Sequence, residues 1–309
     1  MSLEPKQGIP VSLGRGGDQQ QLEKMYKIID SAKKKADQTK AISKQEILPA
    51  EDRKAKQLPL WPNFVRALPN ALARSALFSI SHNSTKRTYL KEQKIASVNG
   101  VSIFYTGEEL RQRDEDVFLQ LLHIARSSPL GDWVDFTAYG LVKSLGWSIN
   151  SRSYNDLRGI LDRLSATNII VSFGDSGQEG YSGSLVRKFM WRTPEGQKLS
   201  QWRVYFEPEI IALFAPESYT HIYWELRLSL PPLAKWLHSF YSTHESPYDY
   251  KVGTLHELCG SSSKLHHFRE MLADALGLLK EKQFLINGAI SKETDLVHVD
   301  RAGNLKALI

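Results

Sequence analysis

Apolar and polar positions follow a pattern that occurs twice along the chain. Residues 136–173 read FTAYGLVKSLGWSINSRSYNDLRGILDRLSATNIIVSF, and residues 250–288 read YKVGTLHELCGSSSKLHHFREMLADALGLLKEKQFLING. In each copy a short apolar segment ends at a glycine, Gly146 or Gly260, and a polar cluster follows. A longer stretch then carries leucines at i, i+4 and i+7: Leu157, Leu161 and Leu164 in the first copy, Leu272, Leu276 and Leu279 in the second. That spacing puts each triplet on one face of a helix. An apolar strand pattern begins soon after each triplet, at Ile169 and at Phe284.

Helix, glycine turn, polar helix start and β-ribbon is the outline of a winged helix-turn-helix, whose second helix lies in a DNA major groove. Upstream, Asn99-Gly100 between two alternating runs predicts a β-hairpin, and Asp114 starts a helix through Arg126. Residues 168–206 read as one long twisted ribbon behind the first long helix. Pro208 opens a short helix, and Leu230-Pro231-Pro232 opens another through Ser242, since proline is tolerated in a first turn. The expected fold is α+β, with two tandem winged helix-turn-helix domains at residues 58–215 and 216–309. Residues 1–57 are expected to form a disordered basic and polar arm, with one helix over 19–38.

The chain has 309 residues and a net charge of +6. The charge is uneven: residues 1–56 hold 12 Lys/Arg against 8 Asp/Glu, and the remainder 28 against 26. If the folded part grips a polyanion, it does so with basic residues focused on one face. No apolar run reaches a membrane span, and the first ten residues lack the apolar core of a secretory signal. The single cysteine, Cys259, excludes an intrachain disulfide and fits a reducing cytoplasm.

No catalytic constellation is evident. The glycines of GRGG lack the Gly-Lys-Ser/Thr of a nucleotide-binding loop. Ser261, Ser262, Ser263 and Lys264 match Ser-x-x-Lys by letter, but read better as a helix start rich in capping hydroxyls. His266 and His267 are adjacent on a helix and point apart, and one cysteine with nine histidines gives no zinc spacing. Asp114, Glu115 and Asp116 suit a helix's first turn. No metal, cofactor or enzymatic activity is expected.

Groove recognition is the chemistry these residue types fit. Ser151, Arg152, Ser153, Tyr154 and Asn155 open the first long helix, with Arg158 a turn further on. Short hydroxyls and amides contact phosphates, while Arg and Asn read guanine and adenine edges. Ser262, Ser263, Lys264, His267 and Arg269 occupy the equivalent stretch of the second copy. Arg187, Lys188 and Arg192 on the first ribbon suit a phosphate backbone or a cross-strand partner.

The segments PLWPNFVRALPNALARSALFS, YTGEELR, GDWVDFTAYGL, LGWSINSRSY, LDRLSAT, ALFAPESYTHIYWE and LCGSSS, in this order over residues 58–300, resemble the TrfA family of plasmid replication initiators. The resemblance implies binding to repeated origin sites (iterons) in double-stranded DNA and opening of an adjacent A+T-rich segment, with contact to its single strands. It also implies recruitment of the host replicative helicase with DnaA, and a monomer–dimer equilibrium linked to copy control. The setting it implies is a bacterial cytoplasm. Gln57, Leu58, Leu60 and Trp61 resemble the pentapeptide by which such proteins dock on the sliding clamp, with Trp in place of the last Phe. The alternative is that Leu58, Leu60 and Trp61 pack on the first domain. A winged-helix transcriptional repressor is the competing function. A relaxase or nuclease needs a Tyr or carboxylate/His cluster that the sequence does not offer.

Overall fold

A computed structural model describes residues 56–302 except 83, 175–177 and 194. The arm expected over residues 1–57, with its helix at 19–38, therefore lies outside the described residues apart from Lys56 and Gln57.

The chain enters through a strap: β1 (Val65–Pro69), the short helix α1 (Asn70–Ala73) and β2 (Phe78–Ser79). The Asn99-Gly100 hairpin forms as expected, joining β3 (Tyr89–Ile95) to β4 (Val101–Glu108). After β5 (Leu110–Arg111) comes α2 (Gln112–Ala125). That helix opens the first repeated unit, which continues with β6 (Trp133–Phe136), α3 (Ala138–Ser144) and α4 (Ser151–Ser165). Its remaining strands are β7 (Asn168–Phe173), β8 (Gln178–Gly183), β9 (Lys188–Arg192) and β10 (Lys198–Tyr205). A 3-10 turn at Pro208–Phe214 leads to β11 (Tyr219–Tyr223) and α5 (Trp224–Ser229). The second unit is α6 (Pro232–Ser242), β12 (Tyr250–Lys251), α7 (Val252–Leu258), α8 (Leu265–Glu281), β13 (Leu285–Ile290) and β14 (Leu296–Arg301).

Local chemistry explains the helix pairs. Thr137 caps α3 by accepting from the Gly140 amide at 3.0 Å, and Asn150 caps α4 by accepting from the Ser153 amide at 2.9 Å. Such caps are each worth about 1 kcal/mol. Gly146 and Gly260 take positive φ, +69° and +65°, at the ends of the two short helices, where any other residue pays a steric cost. The leucine triplets face inward as their spacing predicts: Leu157, Leu161 and Leu164 lie in one core, Leu272, Leu276 and Leu279 in another.

The single ribbon expected over 168–206 is divided between two sheets. β7 and β8 extend the early hairpin into a four-stranded sheet, order β3-β4-β7-β8. Only β9 and β10 form the hairpin beside the helix pair, in a sheet ordered β6-β10-β9. The second unit repeats that order as β12-β14-β13. Both units thus run helix, strand, helix, helix, hairpin, with the last strand in the middle of the sheet. In the first unit the β7–β8 hairpin is inserted between the long helix and its hairpin. Ile169 and Val171 are buried because β7 lies beside β4, so their apolar pattern signalled that sheet and not the outer ribbon.

The described residues form one compact unit. The first core takes residues from Leu58 to Trp224, and the second runs from Leu230 to Val299 with Ile80 added from the strap. The stretch around residues 215–232 is fully structured: β11 pairs antiparallel with β1, and Trp224 belongs to the first core.

Candidate nucleic-acid interface

At the start of α4, Ser151, Arg152 and Asn155 are exposed and Tyr154 is half-buried against the first core. Ser153 departs from expectation. It sits at the third position of the helix, where the turn points inward, so its side chain is buried and has no reach to a groove. Arg158 lies with its guanidinium carbon 4.8 Å from the centre of the Trp191 ring on β9, and Arg192 covers the same ring at 4.2 Å. Tyr154, Asn155, Arg158, Trp191, Arg192 and Lys198 line a recess of about 330 Å³ between the helix and its hairpin. Among the described residues, Arg152, Arg158, Arg192 and Lys198 have no carboxylate partner within ion-pair distance. Trp191 and Lys198 were missed in the sequence, because their place depends on which hairpin pairs with β6.

The ribbon residues are less free. Arg187 is bound to the half-buried Glu207 at 2.8 Å. Lys188 is exposed and stands 5.7 Å from the Trp133 ring.

In the second unit Lys264 is exposed at the position preceding α8, and Ser262 is exposed beside it. The serines do not cap the helix, as the sequence led us to expect. Ser261 and Ser263 join their hydroxyls at 2.9 Å, His256 bonds the Ser263 carbonyl at 2.7 Å, and no side chain caps α8. His267 pairs with Glu270 at 3.5 Å. Arg269 is ion-paired through one guanidinium nitrogen with Asp295 of the hairpin turn, so its charge is compensated. Among the described residues the first unit therefore presents four cations without a carboxylate partner; in the second, Lys264 likewise has none and Arg269 is paired.

Buried ionic contacts brace this face from behind. Asp114 on α2 is fully buried and accepts from the Arg111 amide at 2.7 Å, Arg87 at 2.7 Å and Arg163 of α4 at 3.0 Å. Asp114, read from the sequence as a first-turn acid, is thus a structural acceptor that fixes the C-terminal end of α4. Cys259 is a core residue whose thiol is pushed up to about 12 by burial, which leaves it inert near neutral pH. Among the described residues no cluster of three or more His, Cys, Asp or Glu can hold a metal, and no helix is long and apolar enough to cross a membrane.

The clamp-type segment is built into the fold. Leu58 and Trp61 are buried, the Trp61 ring is stacked 6.3 Å from Phe214, and its Nε1 donates to His123 Nδ1 at 2.9 Å. Gln57 donates to the Arg126 carbonyl at 3.1 Å. Of the apolar anchors only Leu60 faces solvent, at 72% exposure. An extended docking peptide requires these anchors free, so the packed alternative describes this state.

Fold and face together define an α+β chain with two tandem helix–helix–hairpin units, each opening its long helix with exposed polar groups. A family model described as TrfA protein matches residues 22–301, and the chain belongs to the TrfA family. It is 37% identical over 246 residues to the plasmid replication initiator protein TrfA of Escherichia coli, across 78% of this chain and 63% of that protein. The chain thus spans less than two thirds of that relative's length. Among solved structures, a crystal structure of domains 2 and 3 of RctB has a TM-score of 0.49 at 13% identity, covering 72% of this chain and 94% of the other. A second structure of RctB domains 2-3 also has 0.49, at 11% identity, covering 74% and 95%.

Proposed function

We propose that this chain is a plasmid replication initiator that binds repeated origin sites in duplex DNA. Its two units act as tandem winged helix-turn-helix modules, with α4 and α8 laid in successive major grooves. The observation that carries the reading is the repeated build: both units share one element order and one sheet order, and both long helices start on an exposed polar face. Arg152 and Asn155 suit base edges, while Arg158, Arg192 and Lys198 suit the phosphates flanking the helix. The first unit dominates affinity, because among the described residues it has four cations without a carboxylate partner at this face, whereas in the second Lys264 stands beside an Arg269 paired with Asp295.

Binding leads to opening of an adjacent A+T-rich segment and to recruitment of the host helicase with DnaA, without nucleotide hydrolysis by this chain. Monomers engage the origin and dimers limit copy number. A footprint of the protein on the origin of its own plasmid tests the reading. Protection repeating at each origin repeat, with distortion of the neighbouring A+T-rich strand, is expected. Protection confined to a promoter, with no strand opening, refutes it in favour of a repressor.

A further inference from the structure

The two cores are joined through a buried ion cluster. Arg227 on α5 is fully buried. Its Nε donates to Asp116 Oδ1 at 2.7 Å, and its Nη2 to Glu115 Oε2 at 2.9 Å and Gln112 Oε1 at 3.2 Å, all on α2. Its Nη1 donates to Ser239 Oγ on α6 at 2.6 Å, and Lys235 of α6 reaches the other Asp116 oxygen at 2.5 Å. Burial works against the Arg227 cation, but Glu115 and Asp116 more than offset it and raise its pKa. Helix α2 opens the first unit and α6 opens the second, so one guanidinium holds both.

A buried ion cluster is weak evidence for stability, since apolar residues of equal volume often hold as well. What it imposes is a single geometry. Sliding α6 along α2 strands a charge away from water, and a stranded buried charge is strongly disfavoured. The strap also touches the second unit, through Ser75 and Ile80. Those contacts are main-chain or apolar; Arg74, which donates to Thr243 Oγ1 at 2.7 Å and to the Thr243 carbonyl, is half-buried and meets neutral acceptors there, so displacing the strap leaves no buried carboxylate unpaired.

We infer that Arg227 is a positioning residue that fixes the separation and phase of the two units, so that the protein accepts DNA half-sites at one spacing only. The inference rests on the DNA-binding reading above. The test uses the whole chain and a duplex selected by it from a random-sequence pool, with and without about five base pairs, half a helical turn, inserted between the two protected grooves. Glu115→Gln, Asp116→Asn, Arg227→Met and Lys235→Met together remove the charges without leaving one unpaired. Arg227→Lys, which keeps the charge but not the fork, is the second variant.

The wild type is expected to lose on the order of 100-fold in affinity on insertion, the quadruple variant roughly 10-fold or less, and Arg227→Lys an intermediate amount. Thermal melting identifies which variants fold, and should the quadruple variant not fold, Arg227→Lys decides. A folded variant that keeps the full wild-type penalty overturns the inference, as does a wild type indifferent to spacing. A wild type that selects no sequence at all overturns the DNA-binding reading itself.

Discussion

At the scale of single residues, neighbours in sequence have separate tasks. Arg152 is exposed and unpaired, while Ser153 next to it is buried. Arg152→Ala is therefore expected to weaken binding to an origin duplex by about 1–3 kcal/mol and to leave the melting temperature unchanged. Equal affinity for the variant, in titrations at two salt concentrations, would remove Arg152 from the interface. Trp61 is in the opposite position: its ring fills the first core. Trp61→Ala is expected to cost about 3–5 kcal/mol in urea unfolding, and a variant of wild-type stability would return this segment to the role of a free peptide.

Two buried histidines make stability pH-dependent. Burial, with Arg66 and Arg126 adding to it, lowers His123 from 6.5 to about 3; burial, with Arg227 and Arg301, does the same to His238. Both rings stay neutral in the folded protein while the unfolded chain takes up protons below pH 6.5. Stability is then full above that value and falls as pH drops from 6.5 toward 3. Urea midpoints at about pH 7.5 and about pH 5 check this. The midpoint is expected to be lower at the acid value, and His123→Gln, which keeps an acceptor for Trp61, to narrow the difference.

At the scale of elements, the two glycine turns look alike in sequence but differ in surroundings. Both need a left-handed backbone, which costs a substituted residue about 1–2 kcal/mol. A Cβ at Gly146 meets only Leu228 Cδ1 at 4.0 Å, whereas at Gly260 it lies 3.0 Å from Ser79 Cβ and 3.4 Å from Ala76 Cβ. Those are atoms next to the main chain of the strap and do not swing aside. Gly260→Ala is expected to lower the melting temperature clearly more than Gly146→Ala. Equal losses would mean that backbone strain alone sets the cost.

At the scale of the whole molecule, the second unit leans on the first. Its core includes Ile80, its Trp236 donates to the Ser75 carbonyl at 3.1 Å, and its neighbour Arg227 finds its carboxylates on α2. A fragment of residues 216–309 lacks all of these and carries an arginine stripped of its buried partners. We expect it to unfold without a cooperative transition under conditions where the whole chain melts sharply. A sharp melt of the fragment by circular dichroism would show that the second core is self-sufficient.

The sequence by itself determined the helix pairs, their glycine turns and the exposed polar openings of α4 and α8. These depend on local forces: a 3.6-residue apolar period, capping side chains and left-handed glycines all act within a few positions. It also carried the family resemblance, through short segments kept in order. Only the tertiary structure decided which hairpin stands beside α4, because β7 and β9 are both apolar strands and pairing with β4 or β6 is settled far away in the chain. It likewise decided that Asp114, Glu115 and Asp116 are buried acceptors, that Arg269 is neutralised by Asp295, and that Leu58 and Trp61 are core anchors. A charge or an aromatic ring is written the same way in sequence whether it faces water or a partner, and burial is set by what packs over it.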